Sequence, residues 1–315
     1  MNEHHHYIIE QVSEKHYPLL QQLFLNAFHQ TVSLTEIEKR YDTKELGAPQ
    51  IGFIAIDAES GEPAAHFGVL SLKIIDNGKI LLAAQNADVM THSKHRKKGL
   101  FTKLSGFTCE RSSEKGMQLL YSSPNKYSYQ GLVHSSKWKH LEDIIRYDLK
   151  LKMKTIPFPK IALKSKFLFE QYLIYAKWVL NKFIVEPPKE FTNTLSIDAP
   201  RVYRNKAHIK YKSAPNKFFI KMDEVTFWIK LADIIWIGDI DYYEKVNVAV
   251  IEKLQKLAFK LGYNTIVLNL NENIPLPDSL KDFKAFSKDV ACYQILNPEL
   301  NFKTMIWTGA DFDTW

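Results

Sequence analysis

Apolar positions along this chain keep two different periods, and the changes of period divide it into elements. Tyr7 to Val12 reads as a strand. Tyr17, Leu19, Leu20, Leu23, Phe24 and Ala27 recur at helical spacing, which predicts a helix from His16 to Phe28, with a shorter one over Leu34–Tyr41. Ile51–Ala58 and Ala64–Leu72 flank the turn Glu59–Pro63 and predict a hairpin. A strand follows over Lys79–Met90, then a helix from Gly99 to about Lys115 that Gly116 ends in the left-handed cap position. Gln118–Ser122 is a buried-type strand, Asn125–Ser135 a helix and Trp138–Leu151 the closing strands.

The pattern breaks near residue 152. Pro157, Pro159, Pro187, Pro188 and Pro200 bracket a helix over about Ile161–Phe183. It then restarts with three strands, Phe218–Met222, Val225–Leu231 and Ile234–Ile240, a helix over Val246–Leu261 and a strand over Thr265–Leu270. A short helix, Leu280–Phe286, and closing strands at Cys292–Leu296 and Thr304–Thr308 complete the prediction. The hairpin, strand, helix, strand order thus occurs twice, as a degenerate duplication. The expected organisation is a first α/β domain over 1–152, a helical connector over 153–200 and a second domain over 201–315, each a mixed, mostly antiparallel sheet flanked by helices.

Composition narrows the class. With 45% hydrophobic and 24% charged residues the chain is of ordinary globular type. Cys109 and Cys292 lack disulfide-framework or metal-ligand spacing, and reduced thiols in the cytoplasm are expected. No charged region followed by an apolar one marks a signal peptide, and the His4–His6 tract reads as a frayed end. The most apolar window, Phe167–Val185, is interrupted by Glu170, Lys177 and Lys182, which argues against a spanning helix. Its expected use is packing between domains; the alternative is a membrane-surface helix, because Lys mixes with Tyr172, Tyr175 and Trp178. The net charge of +7 admits a nucleic acid, an anionic surface or a phosphorylated ligand. No zinc knuckle, basic heptad region or single-strand-binding signature supports nucleic acid.

One charge knot, Lys94-His95-Arg96-Lys97-Lys98, sits between the apolar run Ile80–Ala84 with its extension Gln85–Thr91 and the helix that begins at Leu100. Strand, basic turn and helix start together suit a pyrophosphate. Backbone N–H groups and the dipole at the helix start meet its charge and acceptor oxygens. Gly99 lets the backbone approach closely. Arg96-Lys97-Lys98-Gly99-Leu100-Phe101 resembles the acyl-CoA loop of the GNAT superfamily of N-acetyltransferases, with Phe101 where the family has a small residue. Asp88-Val89-Met90-Thr91 at the end of a central strand, and Asn125 after the following strand, extend the resemblance over about half of the chain; the other half matches only by topology.

The resemblance implies tandem GNAT-like folds, the second degenerate, and transfer of an acetyl group from acetyl-CoA to an amine without a metal. It implies that Val89, Met90 and Thr91 receive the pantetheine arm and that Arg96, Lys97, Lys98, Gly99, Leu100 and Phe101 hold the pyrophosphate. Asn125 contacts pantetheine or serves as a turn-forming residue after Pro124. Asp88 is the expected base or a structural carboxylate, with His92 a second option. The family's acid, a Tyr, aligns with Val133, so Tyr129 and His134 are taken as substitutes, with Tyr127 nearby. The polar run Gln85, Asn86, Asp88 suggests a wet groove in which Gln85 and Asn86 bind substrate. The tail Thr308–Trp315 is expected to fold back to that groove, bringing Asp311, Asp313 and the terminal carboxylate of Trp315 to the amine.

In the second half, Trp236–Glu244 is acidic where phosphate would sit, so a second acyl-CoA site is not expected. Tyr203, Arg204 and Lys206 are surface residues or readers of an anionic acceptor. The expected acceptor is a small amine, such as an amino sugar or a nucleotide-linked amino sugar, and no membrane span is expected of the chain. Two alternatives stand: a FemAB-type enzyme using aminoacyl-tRNA, and a non-catalytic acyl-CoA sensor.

Overall fold

The computed structural model describes residues 6–152, 154–195, 199–300, 304–312 and 315. The chain forms two compact units, residues 1–141 with 290–303, and residues 142–289 with 304–315.

The first unit contains β1 (Tyr7–Gln11), α1 (Tyr17–Phe28), α2 (Leu34–Tyr41), β2 (Ile51–Asp57), β3 (Pro63–Asp76), β4 (Lys79–Thr91), α3 (Leu100–Glu114), β5 (Leu119–Ser122) and α4 (Lys126–Gln130). β1 to β4 form an antiparallel meander, and β5 runs parallel to β4. Helices cover both faces. α3 packs Leu100 and Leu104 against Phe67, Val69, Ala84 and Leu120. On the other face α1 and α2 bring Leu20, Leu23, Phe24 and Ile37 against Ile54, Leu70, Ala87 and Met90. Because β3 is covered twice, its sequence is nearly continuous in buried residues.

The second unit begins within β6 (Lys139–Lys150) and continues through α5 (Phe158–Ala162), α6 (Lys166–Leu180), β7 (Arg201–Val202), α7 (Lys206–Lys212), β8 (Lys217–Met222), β9 (Val225–Leu231), β10 (Ile235–Ile240), α8 (Val248–Lys260), β11 (Thr265–Asn271) and the start of β12 (Lys284–Ile295). β8, β9 and β10 are antiparallel neighbours, and β11 runs parallel to β10. Tyr172, Leu173, Ala176 and Leu180 of α6 share one core with Val250, Leu254 and Leu257 of α8 and the strands beneath. Residues 153–200 therefore do not form a separate connector, since α6 is a wall of the second unit.

The expected boundaries are displaced because two strands trade places. β6, predicted to close the first half, pairs with β11 from Ile144 opposite Asn271 to Lys150 opposite Thr265. The end of β12, predicted to close the second, pairs antiparallel with β5, Cys292 opposite Ser122 and Ile295 opposite Leu119. Each half thus completes the sheet of the other. The predicted helix over Leu280–Phe286 is a single turn, Asp278–Leu280, because β12 begins at Lys284. Thr304–Thr308 makes only isolated bridges, at Ile306 and Thr308.

Candidate active site

The site is built where β4 and β5 part. Their ladder runs from Ala83 opposite Leu119 to Gln85 opposite Tyr121. β5 stops at Ser122 while β4 continues to Thr91, so the far end of β4 keeps one edge without that partner. The β3–β4 register also slips there: His66 faces Met90, but Gly68 faces Ala87. The extra residue is a β-bulge, and Asp88 within it takes a left-handed φ of 54°.

His66 stabilises the bulge. Its Nδ1 lies 2.6 Å from the Asp88 carbonyl oxygen, which can only accept, so Nδ1 carries the proton. Nε2 is buried without a hydrogen-bond partner among the described residues. Burial pushes the imidazole pKa from 6.5 down to about 4. The unfolded chain takes up a proton below pH 6.5 that native His66 refuses. Stability is therefore full above that value and falls as pH drops toward about 4. His208, held low chiefly by burial and then by Lys212 and Arg204, acts in the same direction. For His66→Gln, the stability difference between neutral and mildly acidic pH should be about 2 kcal/mol smaller than for the parent in urea unfolding. An unchanged difference would mean that His66 is protonated in the fold.

A cleft of about 480 Å³ opens beside the parted strands. Val89, Met90 and Thr91 of β4, Arg96 and Phe101 of the basic turn and α3, and Asn125, Tyr127 and Ser128 of α4 and its cap line it, with Ala27 and Phe28 from the end of α1. The residues expected to hold the donor are thus largely brought together. Gly99 caps α3 with φ 74° and ψ 1°, and a Cβ there would meet nothing within 4 Å. The helical ladder begins with the Lys103 N–H on the Gly99 carbonyl, at 3.1 Å. The N–H groups of Leu100, Phe101 and Thr102 precede it and have no acceptor within the helix. Leu100 itself is buried in the core, and Lys97 and Lys98 are exposed. Phe101 makes an edge contact with Phe67, and its ring occupies the space where a Cβ on Gly131 would fall, 2.7 Å away. The bulk that departs from the loop pattern is accommodated by a glycine thirty positions on.

Asn125 caps α4, its side-chain oxygen accepting from the N–H groups of Tyr127 and Ser128 at 3.0 Å. The turn-forming reading therefore holds for its oxygen, while the residue also lines the cleft. Asp88 is buried, and its Oδ2 accepts from Arg40 Nε at 2.7 Å. This ion pair across 48 positions was not visible in local sequence. Gln85 and Asn86 do not line a wet groove: both are buried, and Asn86 donates to the Gly68 carbonyl and accepts from Ser122 inside the sheet. Tyr129 turns to His140, edge-on at 6.0 Å, and His134 is exposed on the π-helical turn after α4. Neither lines the cleft, whereas Tyr127 does.

His92 and His95 are engaged otherwise. His92 Nε2 lies 3.2 Å from Glu62 Oε1 and His95 Nε2 3.6 Å from Oε2. Two imidazoles and a carboxylate this close could ligate a metal. The Lys94 N–H, however, points at His92 Nδ1 from 3.3 Å, which leaves the ring proton on Nε2 facing Glu62. The Tyr7 hydroxyl meets His95 Nδ1 at 3.0 Å. The cluster is a hydrogen-bonded clamp between the end of β4 and the β2–β3 turn. The thiols of Cys109 and Cys292 are buried, and burial pushes their pKa values up to about 11 and about 12, so neither is a nucleophile at neutral pH.

The carboxyl-terminal residues are committed within the second unit. Asp311 accepts from Arg204 Nη2 at 2.8 Å, and Arg204 also pairs with Asp239. Tyr243 and Asn193 donate to the same Asp239. Arg204 is thus neither a surface residue nor a reader of an acceptor, and Asp311 is not free to act as a base. Burial raises the Asp311 pKa against the pull of Arg204. The Trp315 indole packs over Gly238, where a Cβ would collide at 2.3 Å, and edge-on against Trp228. Asp313 lies outside the described residues, as do His4 and His5. The β9–β10 register slips between Ile237 and Asp239, and the β10–β11 ladder ends at Ile237. The second unit therefore repeats the bulge and the parting of the first. There the gap is filled: Thr308 bridges Leu270 of β11, and Gly309 sits on the Ile237 carbonyl and Gly238 of β10.

Comparison with known proteins agrees with this geometry. Residues 9–132 match the acetyltransferase (GNAT) domain family. A search of curated proteins finds no match. Among solved structures, a conserved protein from Enterococcus faecalis V583, described as of unknown function and a probable N-acyltransferase, is similar with a TM-score of 0.60 at 12% identity, over 93% of this chain and 73% of its own. A GCN5-related N-acetyltransferase from Kribbella flavida has a TM-score of 0.57 at 11% identity, over 93% and 72%. The glucosamine N-acetyltransferase region of a fungal multi-domain GH3 β-N-acetylglucosaminidase has a TM-score of 0.54 at 11% identity, over 92% and 38%.

Proposed function

We propose that the chain, whose residues 9–132 match the acetyltransferase (GNAT) domain family, is an N-acetyltransferase that acetylates the amine of a small acceptor, an amino sugar in particular, using the cleft between β4 and β5. The observation that carries this reading is the juxtaposition in one cleft of the parted β4 edge, Arg96 and the start of α3. Acetyl-CoA supplies the activated thioester. The N–H groups of Leu100 to Thr102 and the Arg96 guanidinium bind its pyrophosphate. The unpaired edge of β4 from Val89 to Thr91 binds the pantetheine amides as an added strand would, and a backbone N–H there stabilises the oxyanion. Asn125, whose side-chain oxygen caps α4, lines the cleft where the pantetheine arm would lie. Asp88 acts by holding Arg40 and the bulge, not as a base, because its carboxylate is engaged in an ion pair. The acceptor class draws support from the fungal neighbour, whose description names glucosamine.

Tyr127 is the cleft-lining side chain able to give a proton to the departing thiolate, and it is 84% exposed. Tyr127→Phe should lower kcat by about a hundredfold with the Kd for acetyl-CoA within about threefold, while Tyr129→Phe leaves kcat within about threefold. Equal effects of the two substitutions would remove Tyr127 from this role. The reading as a whole is tested by calorimetric titration with acetyl-CoA followed by CoA release against a panel of amino sugars and other small amines. Failure to bind acetyl-CoA would overturn it. A second reading, an acyl-CoA sensor, is favoured by one observation: no carboxylate or imidazole lines the cleft among the described residues. Tight binding without turnover on any amine would select it.

A further inference from the structure

We propose that α5, α6 and the lysine row of α8 form a docking surface for an anionic lipid bilayer. No helix among the described residues is long and apolar enough to cross a membrane, so the contact is peripheral.

α6 has two apolar stripes. Tyr172, Leu173, Ala176 and Leu180 are buried in the core. Phe167, Ile174 and Trp178, at i, i+7 and i+11, lie within about 40° of one another on the opposite side. They are 65%, 63% and 77% exposed, so this face is not spent on packing. Ile156, Phe158, Ile161 and Leu163, before, along and just after α5, are exposed as well. Of twenty exposed large apolar or aromatic side chains among the described residues, ten fall between 156 and 184. That concentration marks an interaction surface rather than scattered surface apolar groups.

The charge around it identifies the partner. Between residues 152 and 182 the chain carries seven lysines and one acid, Glu170. Lys256 and Lys260 on α8, with Lys182, rim a groove of about 730 Å³ whose walls include Tyr175, Trp178 and Phe183 and no acidic residue. Lys253 on the same wall is paired with Asp223. Tyr175 ties the two helices by donating to the Lys260 carbonyl at 2.7 Å. Aromatic and branched side chains at the level of the acyl boundary, with lysine stems reaching up to phosphates, are what an interfacial element needs. A second copy of the chain fits less well, because a two-fold contact would set the lysines of one face against those of the other.

The test uses the full chain and two kinds of vesicle, phosphatidylcholine alone and phosphatidylcholine with about one-third phosphatidylglycerol, in co-sedimentation at moderate salt. Partition onto the anionic vesicles is expected, with a blue shift of tryptophan emission. Phe167→Ser with Trp178→Ser should lower that partition by tenfold or more. Each of Lys182→Gln, Lys256→Gln and Lys260→Gln should lower it by about fivefold. All five positions are exposed, and circular dichroism checks that the variants stay folded. Partition no greater than onto phosphatidylcholine alone, or equal partition of parent and variants, would overturn the proposal. A vesicle-free dimer in sedimentation, dissolved by Phe167→Ser with Trp178→Ser, would assign the face to a second copy and overturn it too.

Discussion

Gly99→Asp should raise the Kd for acetyl-CoA by about a hundredfold or more while leaving the chain folded. The expectation separates backbone from charge. A Cβ at Gly99 enters open space, so no neighbour must move. The left-handed φ of 74° costs an ordinary residue about 1–2 kcal/mol, and Asp less than most. The new carboxylate, however, stands at the mouth of α3, where the N–H groups of Leu100 to Thr102 would meet a pyrophosphate. Two like charges about 4 Å apart repel by about 4 kcal/mol at an effective dielectric of 20. A hundredfold loss needs about 2.7 kcal/mol, so even partial screening leaves enough. Gly99→Asn carries the same backbone burden without the charge and should lose less than about tenfold. Calorimetric titration of both variants, with urea unfolding as the control, reads the difference. If Gly99→Asp binds acetyl-CoA as the parent does, the pyrophosphate lies elsewhere.

Arg204→Ala should destabilise the second unit by about 3–5 kcal/mol, the largest stability effect expected of any single change here. Arg204 is 3% exposed and serves two carboxylates, Asp239 and Asp311, at 0% and 1% exposure. Removing the cation leaves both anions buried without their charge partner, and one must take up a proton or expose itself to water. Asp311→Asn should cost less, because the Arg204–Asp239 pair survives and an amide still accepts from the guanidinium. Urea denaturation at neutral pH measures both. A loss below about 1 kcal/mol for Arg204→Ala would place the triad at a hydrated surface. The same triad explains why the carboxyl-terminal residues cannot be assigned to amine chemistry from their composition. Two acids, Phe and Trp within eight residues suggest a folded segment equally well whether it closes a reaction site or fills a gap in a sheet.

The lining of the cleft is largely legible in sequence because its parts are local. Strand Lys79–Thr91, the turn Lys94–Gly99 and helix Leu100–Glu114 are contiguous, each with its own periodicity or cap, and Asn125 follows one strand later. The Asp88 bulge is not legible, since it depends on register against β3 and on His66 from that strand. Arg40 is missed because it reaches Asp88 across 48 positions, and Tyr127, named beside Tyr129 and His134 but not preferred, is set apart from Tyr129 only by which side of a five-residue helix faces the cleft. The polar run Gln85-Asn86 misleads because hydrogen bonds inside the sheet satisfy Asn86 as well as water would. The strand elements are read correctly at β6 and at the end of β12, but their partners are not. Alternation shows that a strand exists and says nothing of which sheet receives it.

That trade of strands governs how the chain can be made. A nascent chain that has delivered every residue through Ser122 still presents β5 as an open edge, and the segment that closes it arrives only with Cys292–Ile295. Cys109 and Gln294, which meet in the finished first unit, are separated by 185 positions. Such distant closure slows folding and leaves a strand edge exposed in the interval. Neither half can be excised as a self-sufficient module, and a stop codon anywhere before residue 292 would cost the first unit its last strand even though the basic turn and α3 had been translated.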